Sequence, residues 1–261
     1  MSDVAEHYER VLARHYTWML GPDFERLVVG QETQLADLVH AVPGSSATAL
    51  DLGCGSGLQS LALARLGFDE VIAVDSSATL LAELERRTET STAIRTVRAD
   101  FAHGLDGIVP PTSVATVVCM GDTLPHLPSR AAVERVLDDV FRVLVPGGRL
   151  VLTFRDLTVA ARGLDRFLPV RSDDSTILTC FLEDVGDRIK VHDLVYVRSD
   201  DGSWDLHKSS YFKLRLAPDQ VGDQLARIGF EVSEARPGER GMWVLTARRP
   251  EGRVTDGREE R

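Results

Sequence analysis

The chain of 261 residues has few cysteines, no long apolar run and no excess of positive charge. Its three cysteines, Cys54, Cys119 and Cys180, are far apart and odd in number, which excludes a disulfide framework and a cysteine-rich zinc motif. The first ten residues are polar and acidic, unlike a signal peptide. No apolar run approaches the ~18 residues of a membrane span. We therefore expect a cytoplasmic protein without a metal site.

The charge balance is acidic, with 30 Lys and Arg against 40 Asp and Glu and a formal net charge of −10. Binding to nucleic acid or to an anionic membrane requires clustered basic residues that neutralise phosphates, and no basic run is present. We therefore expect neither partner. The hydrophobic fraction of 43% and the charged fraction of 27% are typical of a soluble globular protein with a sizeable core.

Residues 2–42 have apolar residues at helical spacing, and Gly21-Pro22 divides them into two predicted helices before a loop at 43–46. From residue 48 the pattern alternates between short buried strands and helices. The predicted strands are 48–52, 70–75, 94–100, 114–120 and 149–154, and the helices are 57–66, 78–87 and 130–144, the last closed by Pro146-Gly147-Gly148. Apolar strands separated by helices predict an α/β protein with a Rossmann-like, doubly wound, mostly parallel sheet.

The alternation of strands and helices ends after residue 170, where predicted strands are joined by Asp-, Gly- and Ser-rich turns. Strands are predicted at 176–182, 188–197 and 209–216, followed by a helix at 218–228 and strands at 230–235 and 242–247. We expect four segments: a helical part at 1–46, a core at 47–170 and 217–249, an antiparallel insertion at 171–216 after strand five, and a disordered tail at 250–261.

The most informative motif is the run ALDLGCGSG from Ala49 to Gly57, in which a strand leads into three glycines at alternate positions and then into a helix. Such glycines permit a tight turn and close approach of a ligand. A dinucleotide fingerprint requires glycine at position 58, which is Leu58, and no Gly-Lys-Ser/Thr triphosphate loop is present. Asp51 would repel a pyrophosphate and attract a cationic ligand.

Two further acidic positions follow the next two strands. Asp75 ends the second strand 24 residues after Asp51, where nucleotide-binding sheets hold a ribose diol with an acidic residue. Asp100 and Phe101 follow the third strand, where an amide edge and an aromatic face could hold an adenine. Together these strand ends suit a ligand with a positive centre, a ribose and an adenine, and without phosphate.

The segment from about Thr48 to Phe154 resembles the class I S-adenosylmethionine-dependent methyltransferases. The resemblance rests on DLGCGSG, the acid Asp75, RAD followed by Phe101, and the PGGRL turn before strand five. It implies S-adenosylmethionine as cofactor, with the glycine loop under the methionine portion, Asp75 on the ribose and Asp100 with Phe101 at the adenine. The cofactor-binding residues expected from this resemblance and from the strand ends are Tyr16, Asp51, Gly53, Cys54, Gly55, Asp75, Ser76, Asp100, Phe101, Met120 and Gly121.

In this superfamily a helix preceding the core often forms a lid over the cofactor, which implies that role for residues 1–46. Tyr16 is the first candidate there to touch the cofactor carboxylate, and Tyr8 is the second. Trp18 packs the helix against the core in the simpler interpretation. Cys54 is interpreted as a small buried residue rather than as a nucleophile.

A narrower resemblance concerns CMGDTLPHLPS followed by PGGRLVLTFRD, which is similar to glycine and sarcosine N-methyltransferases. In that family an Arg just after strand five holds the substrate carboxylate, and Arg155 matches it by position. Asp122 replaces the family's Asn, and could hold an ammonium group or act as a base. The alternative for Arg155 is a surface ion pair with Asp156.

His126 and Asp122 are the candidate catalytic residues, as general bases. His126 could instead order its loop through a backbone hydrogen bond. Arg155, Asp122 and Tyr211 are the candidate substrate-binding residues. Tyr211, Tyr196, Trp204 and His207 could line the pocket or pack a small sheet, and alternation alone does not decide between these roles.

The sequence therefore predicts methyl transfer to a small molecule, with N-methylation of a carboxylate-bearing amine as the first hypothesis. The alternatives are O- or C-methylation in a natural-product pathway, and a protein that binds S-adenosylmethionine without catalysis. A homo-oligomer is possible under each hypothesis.

Overall fold

The computed structural model describes residues 3–39, 47–89 and 92–251, so the predicted loop at 43–46 and nearly all of the predicted tail lie outside it. Residues 3–20 form one continuous helical stretch: α1 (Asp3–His7), a π-helical turn at Tyr8–Leu12 and α2 (Ala13–Leu20). It ends at Gly21, as predicted, and α3 (Phe24–Ala36) follows. The Asp23 side chain caps α3 by accepting a hydrogen bond from the Arg26 N–H at 3.0 Å.

A seven-stranded sheet forms the centre of the molecule, in the order β10-β11-β5-β4-β1-β2-β3. Strands β1 to β5 are parallel, and β11 pairs antiparallel with both β5 and β10. The strands are β1 (Thr48–Leu52), β2 (Glu70–Asp75), β3 (Ile94–Arg98), β4 (Val114–Cys119), β5 (Leu144–Arg155), β10 (Glu231–Pro237) and β11 (Met242–Arg248). The remaining helices are α4 (Leu58–Arg65), α5 (Ala78–Arg87), α6 (Arg130–Val143) and α7 (Pro218–Ile228).

Helices cover both faces of this sheet because its strands alternate between two apolar clusters. Leu50 and Leu52 of β1 face the cluster formed with α6 and α7, whereas Ala49 faces α3 and α4. Helix α5 packs beside α4 through Leu84. The carboxyl ends of β1 to β5 consequently share one edge, where a doubly wound sheet binds its ligands.

A second, four-stranded antiparallel sheet follows strand five, in the order β6-β7-β8-β9. Its strands are β6 (Phe167–Ser172), β7 (Thr176–Val185), β8 (Arg188–Arg198) and β9 (Trp204–Leu214). The predicted fold class, a mostly parallel doubly wound sheet with an antiparallel insertion, is confirmed. Strand β6 begins before the expected boundary at 171, and β9 begins at Trp204 rather than at Ser209.

Two other element boundaries differ from the prediction. Pro146-Gly147-Gly148 lies inside β5 instead of closing α6, because a bulge between Val114 and Thr116 lets the strand begin at Leu144. A Cβ at Gly148 would lie 2.8 Å from the Val145 carbonyl oxygen, so only glycine fits this bulge. Strand β3 stops at Arg98, since Asp100 caps a short 3-10 turn at Phe101–His103.

Candidate active site

The glycine loop turns sharply between β1 and α4. Gly53, Gly55 and Gly57 have φ values of +73°, +55° and +94°, which L side chains rarely adopt. The N–H groups of Gly53 and Cys54 both donate to the Val74 carbonyl, at 2.8 and 3.0 Å, and so fasten the loop to β2. The loop therefore presents a backbone surface at the carboxyl edge of the sheet.

Two acidic side chains flank this loop. Asp51 is 1% exposed, and its carboxyl accepts a hydrogen bond from Ser60 Oγ at 2.6 Å. Burial raises the pKa of Asp51 to about 7, against the opposing effect of the Ser60 hydrogen bond. Asp75 accepts from the N–H groups of Gly55 at 2.9 Å and Ser77 at 2.8 Å, and burial raises its pKa as well.

Neither Asp51 nor Asp75 has an ion-pair partner among the described residues. Two desolvated carboxyl groups without a cation favour a ligand that brings positive charge. The backbone glycine surface, the uncompensated acids and the position of Asp75 at the end of β2 all fit S-adenosylmethionine. Cys54 is buried beside them, and burial raises the pKa of its thiol, which therefore stays protonated.

The other residues expected at the cofactor lie along the same edge. Asp100 accepts from the Ala102 N–H at 3.1 Å, Phe101 is half-buried against the core, and Ser76 accepts from Arg98 through its carbonyl at 3.4 Å. Met120 is buried, and the Gly121 N–H donates to Thr153 Oγ1 at 2.8 Å. Asp100 thus caps the 3-10 turn at Phe101–His103. Its contact with adenine remains a prediction.

The helical stretch 3–20 covers the glycine loop. A Cβ at Gly55 would lie 3.0 Å from the Tyr16 ring, so the ring packs against the loop, and its contact with a cofactor stays a prediction. Glu9, which sequence reasoning missed, accepts from Ser77 Oγ at 2.7 Å and from Thr79 Oγ1 at 3.0 Å at the start of α5. These hydrogen bonds therefore join the helical stretch 3–20 to α5, the element that follows Asp75.

A charged cluster lies at the ends of β4 and β5. Asp122 is 3% exposed with a φ of +71°, and accepts from the Arg155 N–H at 2.9 Å, from Arg155 Nη1 at 3.1 Å and from Lys213 Nζ at 2.5 Å. Burial alone would raise the pKa of Asp122, but Lys213 and Arg155 lower it overall. Asp122 is therefore ionised and a poor proton acceptor, which argues against its predicted role as general base.

Arg155 does not form the surface ion pair with Asp156 that was the alternative to substrate binding. Its guanidinium turns to Asp122 rather than to Asp156, which instead accepts hydrogen bonds from Thr158. Lys213, on β9, was missed because nothing local distinguishes it. The one signal in the sequence is the alternation within the strand, which places Ser209, Tyr211 and Lys213 on the same face of β9.

His126 lies between two tyrosines. Its ring centroid is 6.0 Å from that of Tyr8 and 5.1 Å from that of Tyr211. Burial, followed by the positive charge of Lys213, lowers the pKa of His126 to about 3. The imidazole is thus neutral at physiological pH, and this low basicity favours a positioning role over that of a strong general base.

Tyr211 is the one aromatic residue of the predicted insertion set that lies at this site. Trp204 is exposed, His207 is exposed, and Tyr196 lies on the opposite face of β8 from the buried Val195. The structure therefore separates the set into Tyr211 at the site and three residues away from it.

The buried residues His7 and Asp193 join the helical stretch 3–20 to the second sheet. His7 is 1% exposed, and its Nε2 lies 2.8 Å from Asp193 Oδ2, while Cys180 Sγ donates to Asp193 Oδ1 at 2.8 Å. The His7 ring centroid is 4.5 Å from that of Tyr211. The helical stretch 3–20 thus contacts both the glycine loop and the second sheet.

The described residues contain neither a cluster of metal-binding side chains nor a membrane-spanning helix. Within residues 3–39, 47–89 and 92–251, no three His, Cys, Asp or Glu side chains are grouped as a metal site. Within the same ranges, no helix has the length and apolarity needed to cross a membrane.

Comparison with known proteins supports this interpretation of the glycine loop. Residues 49–148 match the family model described as a methyltransferase domain. The chain is 35% identical over 117 residues to the mitochondrial ubiquinone biosynthesis O-methyltransferase of Schizosaccharomyces pombe, covering 43% of this chain and 39% of that one. The chain thus spans less than half the length of the first curated relatives it matches, which share between 32% and 46% of their length with it.

Solved structures resemble almost the whole chain. The CcbJ methyltransferase of Streptomyces caelestis has a TM-score of 0.72 at 21% identity, covering 93% of this chain and 98% of that one. The S-adenosylmethionine-bound CalS10, an amino pentose methyltransferase from Micromonospora echinaspora, has a TM-score of 0.69 at 18% identity, covering 90% and 95%. Residues 49–148 thus match a methyltransferase-domain model, and the chain as a whole shares the α/β fold of solved S-adenosylmethionine-dependent methyltransferases.

Proposed function

We propose that this protein transfers a methyl group from S-adenosylmethionine to a small molecule that carries an anionic group, and that the acceptor is an amine. The observation that carries the proposal is the cluster of Asp122, Arg155 and Lys213. It contains two cations and one ionised carboxylate, so one positive charge remains for a substrate anion. Arg155 offers the planar fork that matches a carboxylate.

The cofactor half of the site rests on the glycine loop and its acids. S-adenosylmethionine supplies a methyl group on a positively charged sulfur. Asp75 is placed to accept hydrogen bonds from ribose hydroxyls, and the glycine loop offers its backbone to the methionine portion. Asp51 provides negative charge beneath that portion. Tyr16 covers the loop and excludes water.

The acceptor half orients the nucleophile and keeps it unprotonated. Orientation of two reacting groups can supply ~7–11 kcal/mol of a barrier. An ammonium group bound near Lys213 and Arg155 has a lowered pKa, because nearby like charges disfavour its protonated form. Methyl transfer to such an amine needs no strong base, which agrees with the low pKa of His126.

A second candidate is O-methylation of a phenol. It is favoured by the similarity to the Schizosaccharomyces pombe ubiquinone biosynthesis O-methyltransferase, and Lys213 could stabilise a phenolate. A protein that binds the cofactor without catalysis is the third candidate. The methyl acceptor is an amine in the first candidate and a phenol in the second, and the third has none.

The test is transfer of radiolabel from methyl-labelled S-adenosylmethionine to separate pools of amino acids, other amines, phenols and carboxylic acids. Label in an amine pool supports the proposal, and label only in the phenol pool supports the second candidate. Cofactor binding without transfer to any pool would support the third.

A matched pair of variants examines the substrate anion. Arg155→Ala should raise the KM of a carboxylate-bearing acceptor at least tenfold, because a hydrogen bond to a charged group contributes ~1.5–3 kcal/mol. The control is Arg236→Ala, which removes an exposed arginine that pairs with Glu234 on the edge strand β10. An unchanged KM in Arg155→Ala would contradict the role assigned to this side chain.

A further inference from the structure

An apolar cleft lies beside the candidate active site, between the segment after β5 and the second sheet. Its volume is about 520 Å³. Its walls are mostly aliphatic, with one Arg and one Asp: Leu157, Val159, Ala160, Ala161, Arg162, Asp165, Leu182 and Ile189. Pockets of ~300–1,000 Å³ with apolar walls are typical of small-molecule sites.

The cleft borders the apolar cluster that contains Tyr211. Leu157, Leu182 and Ile189 belong to the same apolar cluster as Tyr211, whose ring contacts His126. Leu157 also follows Arg155 by two residues in the chain. The cleft therefore adjoins the position proposed for the substrate anion.

One end of the cleft wall is fixed and the other is exposed. Arg215, which is buried, donates to the carbonyls of Leu157 and Thr158 and pairs with Asp184 at 2.8 Å. Beyond this anchor, Val159 is 84% exposed and Leu164 is 85% exposed. Val159 lines the cleft and so leaves an exposed aliphatic side chain on its wall.

We infer that this cleft, defined by Leu157, Val159, Ala161, Leu182 and Ile189, binds a bulky apolar part of the methyl acceptor. The inference rests on the proposed function and defines its substrate more closely. The substrate is an amphipathic molecule with an anionic group at Arg155 and an aliphatic or aromatic portion in the cleft. A substrate as small as glycine would leave the cleft unfilled. This sets the expected substrate apart from that of the glycine and sarcosine N-methyltransferases.

The test measures binding of straight-chain carboxylates from acetate to decanoate to the full-length protein by calorimetry, with and without S-adenosylhomocysteine. From butyrate to octanoate, affinity should rise about threefold to fourfold for each methylene group, because each methylene leaves water. Arg155→Ala should weaken every member of the series and leave the dependence on chain length intact.

Two variants examine the cleft itself. Val159→Asp changes an exposed side chain and so should leave folding intact, yet it should flatten the chain-length dependence. Ala161→Trp should fill the cleft and have the same effect. The matched control is Val29→Asp, at a site 48% exposed on the remote helix α3, which should leave the series unchanged.

The outcomes separate this inference from the proposed function. A flat series in the unmodified protein, no binding of any member, or an unaltered slope in Val159→Asp and Ala161→Trp would overturn the inference. A steep slope that these two variants remove, with no methyl transfer to any acceptor, would support the cleft and refute the proposed function.

Discussion

Replacing Asp51 with Asn should stabilise the protein without its cofactor, at neutral and alkaline pH. Asp51 is buried with Ser60 as its hydrogen-bond donor and without a cation. Burial raises its pKa from an ordinary 3.8 to about 7. Between these values the unfolded chain carries an ionised carboxylate while the folded chain keeps the proton. Stability therefore falls as the pH rises from about 4 to about 7 and is constant above that range.

The size of this effect follows from the same two pKa values. The gap between 3.8 and about 7 corresponds to ~4 kcal/mol, at ~1.36 kcal/mol for each tenfold change in proton affinity. Asn has the same shape, still accepts the Ser60 hydroxyl hydrogen bond and does not titrate. The advantage of Asp51→Asn over the unmodified protein should thus grow from pH 5 to pH 7 and reach up to ~4 kcal/mol above it.

Urea unfolding at a series of pH values from 5 to 9 measures this directly. Ser60→Ala is the matched control, because it removes the hydrogen bond but keeps the titrating carboxyl, so its pH dependence should persist. A difference between Asp51→Asn and the unmodified protein that stays the same at every pH would refute the reasoning. Asp51→Asn should also bind S-adenosylmethionine more weakly, since the negative charge near the cationic ligand is lost.

Three further substitutions examine the glycine loop, the ribose position and the lid. Gly57→Ala should cost at least ~2 kcal/mol in urea unfolding, because φ is +94° and the new Cβ would lie 2.2 Å from Leu84 Cδ1; a cost near zero would contradict this geometry. Asp75→Ala should weaken S-adenosylmethionine binding more than tenfold by calorimetry, and unchanged affinity would remove the ribose assignment. Glu9→Ala should speed cofactor dissociation severalfold in stopped-flow experiments, since it removes the hydrogen bonds to Ser77 and Thr79; an unchanged rate would show that the lid does not limit release.

The elements that the sequence predicted best are those whose local pattern and tertiary environment agree. Strands β1 and β2 and helices α5 and α7 have the predicted bounds, because their apolar residues are buried on both sides or along one clear stripe. Strand β6 was missed since it contains Pro169, is largely exposed and has a bulge between Pro169 and Arg171. Pro146-Gly147-Gly148 indicated a turn, yet pairing with neighbouring strands draws it into β5.

The shared position of Asp51, Asp75 and Asp100 at one edge of the sheet was predictable because they follow consecutive strands, and parallel strands bring their carboxyl ends together. The acceptor half was not, since its geometry depends on contacts between distant parts of the chain. Lys213 meets Asp122 across 91 residues, and His7 meets Asp193 across 186. No local pattern marks such partners, so the sequence did not indicate that Asp122 pairs with both Arg155 and Lys213.

The position of β11 has a consequence for the order in which the protein can be assembled during translation. Strand β11 pairs with β5 on one side and β10 on the other, although Met242 lies 87 residues after Arg155 in the chain. Until the ribosome has released Met242–Arg248, the buried strand β5 has an unpaired edge that can associate with other nascent chains. A protein shortened to the matched segment 49–148 lacks that partner and most of β5, so we expect it to aggregate. We therefore expect the unit that can fold to be larger than the segment matched by the family model.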